Sequence, residues 1–226
     1  MPKKTYFNLD EDKQQRILDA AKEEFSRVPL FEASISNIIK IADIPRGSFY
    51  QYFENKEDLY FYYFDTIRQN QTKRFGELLK RNQGDIVTTM KTFFSETIAN
   101  TVSGEDAAFF KNAFVRMDFK MSSRMQPHHP HHPHHSGKQP HFGGPFHQNL
   151  KADFDIMSEI DRSLLTISSD EEISLLMFSL MSPFMKTIND YFSKQREGIE
   201  IPVEELQKEY ETMANWVAIG VSKREE

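Results

Sequence analysis

DIPRGSFYQYF, residues 43–53, is the stretch of the chain that decides its fold. Pro45 fixes its own φ and restricts the preceding Ile44 to extended geometry, so the chain must turn at this point. Asp43 tolerates the left-handed backbone conformation that commonly ends a helix. The motif therefore predicts one helix that ends at a tight corner and a second helix that follows at once.

The residues on both sides of this corner carry helical patterns. Ser34 can cap the first helix, which we expect to span residues 34–42. In the second helix Phe49 and Phe53 are four residues apart, so both can anchor one side of it to a core. The apolar residues of the first helix recur at helical spacing and are Ile35, Ile38, Ile39 and Ala42.

The opposite side of the second helix carries groups that suit the major groove of DNA. Arginine can make a paired hydrogen bond to guanine, and glutamine can make one to adenine. Serine and tyrosine hydroxyls can reach phosphates, and glycine lets the backbone approach closely. The alternative is an amphipathic helix whose aromatic residues only pack in a core. The residues on this side are Arg46, Gly47, Ser48, Tyr50 and Gln51.

With these residues the first seventy or so positions resemble the DNA-binding domain of the TetR family of one-component regulators. The resemblance includes an earlier helix with Ile17, Ala20, Ala21 and Phe25, and it continues through YQYFENKEDL at residues 50–59. Two positions depart from the family, because Asp43 replaces the usual glycine and Glu54 a common basic residue. The resemblance implies DNA contacts from Ser34, Ser36, Arg46, Gly47, Ser48, Tyr50 and Tyr52, with Lys56 on a phosphate.

Composition sets wider limits. The chain has 226 residues with 20 Phe, enough to bury a substantial core, and no run approaches the roughly 18 apolar residues that span a bilayer. The start MPKKTYFNLDEDK also lacks the apolar core of a signal peptide, so we expect a cytosolic protein. The absence of cysteine excludes disulfides and thiol catalysis. Residues 1–75 carry 12 basic and 12 acidic side chains, whereas residues 150–226 carry 8 and 16. Lys3 and Lys4 are either a short basic arm toward DNA or part of a frayed terminus.

Beyond the corner the periodicity predicts an all-α chain. We expect an N-terminal three-helix helix-turn-helix domain at residues 1–55 and a larger helical effector-binding and dimerisation domain at residues 56–226. The further predicted helices span residues 56–81, 85–101, 105–121, 149–165, 169–192 and 202–220. The resemblance implies that the last two helices pack in a homodimer, which requires a near-palindromic operator with half-sites about 34–36 Å apart.

A stripe of Phe and Met residues runs along several of these helices. Such a stripe is more often plain core than a ligand site, but the resemblance implies that an effector binds between these helices. The candidate pocket residues are Phe93, Phe94, Phe109, Phe114, Met117, Met177 and Met181.

All eight histidines lie within twenty residues, in a His/Pro-rich loop at about residues 122–148. Its repeated prolines exclude a continuous helix. Neutral imidazole binds Zn, Cu, Ni and Fe, so the loop is a candidate site for a transition metal or haem iron; a passive polar insertion is the alternative. The candidate ligands are His128, His129, His131, His132, His134, His135, His141 and His147.

The opening MPKKTYFNL together with IPRGSFYQYFE also resembles a subgroup of TetR-type regulators of low-GC Gram-positive bacteria that sense haem. Those regulators use a histidine on the helix after the helix-turn-helix, and residues 67–75 here contain none. Haem would then need a loop histidine or a tyrosine such as Tyr62 or Tyr63. Haem, a transition metal and a hydrophobic small molecule therefore remain competing effectors.

Two other classes of function compete with a DNA-binding repressor. A metal-storage protein would use the histidine loop but would leave the polar side of the second helix unexplained. An enzyme could use carboxylates such as Asp155 and Glu159, but their spacing with Arg162 is that of an ordinary solvated helix face. We therefore interpret the chain as a non-enzymatic TetR-type repressor that an effector releases from DNA.

Overall fold

A computed structural model describes residues 1–115 and 156–221, and every regular element within these ranges is helical. The all-α class is thereby confirmed, with a helix-turn-helix at the N-terminus and a larger helical part after it. The helices are α1 (Lys4–Phe7), α2 (Glu11–Arg27), α3 (Ile35–Ile41), α4 (Arg46–Tyr52), α5 (Lys56–Arg81), α6 (Ile86–Ser103), α7 (Ala107–Val115), α8 (Ile156–Glu159), a 3₁₀ turn (Arg162–Leu164), α9 (Asp170–Arg196) and α10 (Val203–Val221).

Side-chain caps fix where the longer helices begin. Asp10 accepts a hydrogen bond from the Lys13 amide at the start of α2, and Asn55 accepts one from the Asp58 amide at the start of α5. At the start of α9 the side chains of Ser169 and Glu172 form a reciprocal capping box. These bonds satisfy amide groups that have no partner inside the helix, so the predicted starts of α5 and α9 are confirmed.

The corner between α3 and α4 has the geometry that the motif predicts. Asp43 has a φ of 52°, in the left-handed region. The Ile44 amide donates to the Ile39 carbonyl at 3.0 Å, which closes α3 in a Schellman arrangement. Pro45 is the N-cap residue of α4, with a φ of −61°. The two helices are therefore held at a fixed corner.

The N-terminal helices share an apolar core that continues into α5. Phe25 of α2 packs edge-on against Tyr60 of α5, with ring centroids 5.0 Å apart, so the long helix is part of the same packing unit. Of the residues predicted from the periodicity of α3, Ile38 and Ala42 are fully buried, whereas Ile35 and Ile39 are only partly buried. The other fully buried side chains of this unit are Ile17, Ala20, Ala21, Phe25, Phe49 and, just after α4, Phe53.

In the larger part of the molecule α6 packs against α5, α9 and α10. The hydroxyl of Tyr210 on α10 donates to the Met90 carbonyl on α6 at 3.2 Å, and the side-chain amide of Gln207 donates to the Ser95 carbonyl at 3.0 Å. Because these acceptors are backbone groups of α6, α10 is fixed in position along it.

The segment predicted as one helix at residues 149–165 is broken. Its described part has α8, a non-helical Ile160 and then the 3₁₀ turn, in which the Ser163 amide donates to the Asp161 side chain. The Asp161 amide donates to the Gly84 carbonyl at 3.0 Å, and a Cβ on Gly84 would meet this backbone at 2.6 Å. The single-helix prediction was wrong because Asp161 forms a local cap and a long-range bond.

Candidate DNA-binding surface

The polar side of α4 is exposed. Arg46, Gly47, Tyr50 and Gln51 all lie at the surface, and Ser48 is half-buried beside them. Phe49, on the opposite side of the same helix, is fully buried. Seven residues of α4 therefore separate into an anchored apolar side and an open polar side.

The guanidinium of Arg46 is held between two neighbours. It donates to the Ser36 hydroxyl on α3 at 3.2 Å, and it lies 5.9 Å from the centroid of the Tyr50 ring. Both contacts restrict a long, flexible side chain before any ligand is present. We call Ser36, Arg46, Gly47, Tyr50 and Gln51 the recognition face.

Gly47 has no structural role that would explain a glycine. Its backbone is ordinary right-handed helix, and a Cβ built on it would meet nothing within 4 Å. A glycine inside a helix costs roughly 0.5–1 kcal/mol relative to alanine. The missing side chain therefore leaves the backbone of α4 open to a close approach from outside.

A buried carboxylate sets the start of α3, and no sequence pattern indicated it. Glu24 on α2 is only 1 % exposed and accepts hydrogen bonds from the Ser34 amide at 2.7 Å, from Arg27 at 2.8 Å and from the Asn37 side chain. Burial acts to raise the pKa of Glu24, but the bonds from Arg27, Ser34 and Asn37 outweigh it and lower that pKa. Ser34 is half-buried and reaches α2 through its amide rather than capping α3 with its hydroxyl.

Two of the predicted DNA contacts do not share the recognition face. Tyr52 is only 6 % exposed and packs against Tyr6, with ring centroids 6.5 Å apart. The ammonium of Lys56 donates to the carbonyls of Phe31 and Ala33, at 3.0 and 2.9 Å. Tyr52 packs in the core and Lys56 ties α5 to the α2–α3 loop, and their DNA contacts stay predictions.

Side-chain bonds join α2 to α7, and no sequence pattern indicated them. The amide of Asn112 donates to the carbonyls of Phe25 and Ser26, at 3.0 and 2.8 Å. Asp106 accepts from the hydroxyl of Tyr63 on α5 at 2.6 Å and pairs with Lys22 at 3.2 Å. The helix-turn-helix is thus connected to α5 and α7 at the same end of α2.

The candidate pocket residues are distributed over separate aromatic contacts. Phe93 and Phe94 are adjacent and buried, and Phe94 stacks on Phe184 with centroids 4.8 Å apart. Phe114 stacks on Phe192 at 5.0 Å. Phe109 packs against Tyr60 and Tyr63 near α2. Met177 is buried and Met181 is partly buried. Met117 lies outside the described residues.

All eight candidate histidine ligands lie outside the described residues. In residues 1–115 and 156–221 there is no cluster of three or more histidine or acidic side chains that could hold a metal ion. The hydroxyl of Tyr63 is bonded to Asp106, and burial together with that bond raises its pKa. Burial also raises the pKa of Tyr62. Both phenols are therefore protonated near neutral pH in this conformation, and a haem-ligand role for either one stays a prediction.

Helices α9 and α10 expose large apolar side chains. Trp216 and Ile219 on α10 are 70 % and 67 % exposed, and they lie three residues apart, on one side of the helix. Leu175 and Phe178 on α9 have the same spacing and are also exposed. We call these four residues the apolar set. Among the described helices, none is both long and apolar enough to cross a membrane.

Two family models match this chain. The model of the bacterial regulatory proteins of the tetR family matches residues 17–63, and the model of the tetracyclin repressor-like C-terminal domain matches residues 85–221. The chain belongs to the TetR family. The first match contains α3, the corner and α4, and the second contains the described helices from α6 to α10, so both halves of this TetR-family regulator are recognised.

Two solved structures are similar to this TetR-family regulator at low identity. One is a TetR family transcriptional regulator from Chloroflexus aurantiacus J-10-FL, with 18 % identity over 99 % of this chain and all of that chain, and a TM-score of 0.45. The other is a TetR-like transcriptional regulator from Rhodococcus sp. RHA1, also with 18 % identity and a TM-score of 0.45, over 94 % of this chain and 99 % of that one. No curated protein matched the chain.

Proposed function

We propose that this regulator is a homodimeric repressor that binds a near-palindromic operator through two copies of α4. The observation that carries the proposal is the recognition face, where Arg46 is held by Ser36 and Tyr50 and where Gly47 faces open space. Arginine and glutamine can read base edges in the major groove, and hydroxyls can bind phosphates that position the protein. The glycine beside them lets the helix backbone approach the DNA closely.

The homodimer is supported by the apolar set. Trp216 and Ile219 would be costly to leave in water on a protein of this size, and a second copy of α9 and α10 would cover them. A two-fold axis between such helices gives each operator half-site one α4.

Release from DNA is proposed to follow a population shift. Effector binding in the larger domain would favour a conformation in which α5 and α7 move, and the bonds of Asn112 and Asp106 would transmit that movement to α2. The two α4 helices would then no longer fit adjacent grooves.

For the effector we propose three competing classes: haem, a transition metal ion or a hydrophobic small molecule. The histidine loop supports the first two, and the buried aromatic side chains around Phe94 and Phe184 support the third. Metal storage without any effect on DNA is the second candidate function, and the clustering of all eight histidines favours it.

The test is a DNA-binding titration with the region upstream of the chain's own gene. Haem, Zn, Ni, Cu and organic cations are added in turn to the preformed complex. Loss of the complex with one of them identifies the effector, and the same titration of a variant lacking residues 128–135 shows whether the histidine loop senses it. Absence of any sequence-specific complex would contradict repression, and metal uptake that leaves the complex intact would support storage.

A further inference from the structure

The chain before α2 lies across the last turn of α4. The backbone amide of Lys3 donates to the Tyr52 carbonyl at 2.8 Å, and the Lys3 ammonium donates to the Tyr50 carbonyl, also at 2.8 Å. The hydroxyl of Thr5 donates to the carbonyl of Gln51, which lies between them. Three consecutive carbonyls of α4 are therefore bound by two residues of this segment.

These carbonyls are the groups that a helix cannot satisfy by itself. The last four carbonyls of a helix lack an intrahelical partner, and together they carry a partial negative charge. Helix α4 has only seven residues and no basic residue in its last turn. Lys3 supplies the positive charge and the donors that α4 lacks, and a helix this short depends on such external contacts.

Tyr6 attaches the segment to the core. Its side chain is fully buried, and its ring lies 5.1 Å from the ring of Phe53 and 5.2 Å from that of Tyr62 on α5. Its hydroxyl donates to the Gln14 carbonyl on α2 at 3.4 Å. The segment is thus fixed to α2, to α5 and to the end of α4 at once.

We propose that Lys3 and Thr5 are positioning residues for DNA recognition, which hold the recognition face by binding the end of α4 rather than by touching DNA. The proposal rests on the proposed function of α4. It goes beyond the family match, which begins at residue 17 and so leaves this segment out. For Lys3 it replaces the two expectations of a basic arm and a frayed terminus, because the Lys3 ammonium is bonded within the protein.

The salt dependence of DNA binding separates this role from phosphate binding. Each lysine that neutralises a phosphate contributes about 0.9 to the slope of log affinity against log salt concentration on B-DNA. Lys3→Met keeps an apolar stem but removes the charge and the donors, so in our proposal it lowers operator affinity without changing that slope. Lys4→Met, at an exposed neighbouring residue, removes the same formal charge and is the matched control.

The experiment measures operator affinity at several salt concentrations, affinity for an unrelated duplex, thermal unfolding, and amide hydrogen exchange of α4 without DNA. For Lys3→Met we expect roughly 5-fold weaker operator binding or more, since helix-end charges contribute modestly and the dimer carries two of them. We expect an unchanged slope, unchanged affinity for the unrelated duplex and faster exchange in α4. Thr5→Val should act in the same direction, Lys3→Arg should restore binding, and Lys4→Met should bind like the parent.

Three outcomes would overturn the proposal. A slope reduced by about 1 per lysine would make Lys3 a phosphate contact. Parent-like operator binding by Lys3→Met, or unchanged exchange in α4, would leave the segment without influence on recognition. If the parent itself binds no operator, the proposed function fails, but the exchange measurement still tests whether Lys3 holds α4.

Discussion

The recognition face and the apolar set are both exposed surfaces, but their chemistry is opposite. The first presents a guanidinium, a carboxamide and hydroxyls, and Arg46 is already restrained by Ser36 and Tyr50. The second presents the indole of Trp216 and the aliphatic side chain of Ile219. Polar groups that are fixed before binding suit a charged, hydrated partner, whereas exposed apolar groups suit a second protein surface. Each half of the molecule therefore indicates its own kind of partner.

Among substitutions in the recognition face, Arg46→Ala should cause the largest loss of operator binding. Loss of a bidentate base contact costs about 1–3 kcal/mol, and two copies act in a dimer, so operator binding should weaken by roughly 30-fold or more. Mobility-shift or anisotropy titrations measure this change. Arg81→Ala, at the far end of α5, is the control and should bind like the parent. Equal binding by the Arg46 variant would remove Arg46 from the recognition face.

Trp216→Glu tests the apolar surface. A charge placed where a second copy packs should weaken dimerisation by roughly 2 kcal/mol or more, as at other buried interface aromatics. Sedimentation analysis should show a shift from dimer to monomer, with operator binding lost in parallel. Trp216→Phe keeps an apolar ring and should remain dimeric. A Glu variant that stays dimeric would place the interface elsewhere.

Glu24→Gln tests the support beneath the recognition face. Removal of the charge from this buried acceptor should reduce the free energy of unfolding by about 1–3 kcal/mol at neutral pH. The folded pKa of Glu24 is lowered, so its stabilisation is present above the ordinary value of 4.5 and is lost as pH falls below it. We measure the free energy of unfolding in urea at pH 7 and at pH 4. The loss of this free energy between the two pH values should be smaller for the variant than for the parent. An equal difference would mean that Glu24 does not contribute to the acid sensitivity.

Gly47→Ala should have the smallest effect on folding, and it tests whether the backbone of α4 approaches DNA closely. Because open space surrounds Gly47, alanine should raise stability by roughly 0.5–1 kcal/mol while weakening operator binding. Arg81→Ala, the control used for Arg46, should leave operator binding unchanged here as well. Thermal unfolding and operator titration of both variants measure the two effects. If Gly47→Ala binds operator as well as the parent, the backbone of α4 does not approach DNA closely.

The sequence predicted the features that depend on short-range patterns. The Asp43 corner, the capping box at Ser169 and the buried side of α4 each follow from a few neighbouring residues. The boundary at residue 55 and the DNA-contact and pocket assignments remain predictions as a set. The burial of Tyr52 and the hydrogen bonds of Lys56 depend on what each side chain meets in space, and spacing along the chain does not show that.

The features that were missed all involve partners distant in sequence. Glu24 bonds to Ser34, and Asn112 bonds to Phe25 across 87 residues. Glu24 lies three residues after Ala21, on the apolar side of an amphipathic helix, which hints at an unusual buried charge. Its partners become visible only when α3 is folded against α2. The break near Asp161 had the same origin, since it depends on the close approach of Gly84.

Asn112 makes its two bonds to main-chain oxygens at the end of α2 rather than to side chains. Any helix that ends at the same place presents such oxygens, whatever its own residues are. These two bonds therefore do not depend on which side chains α2 carries at its end, and a substitution there that keeps the helix would leave both acceptors in place.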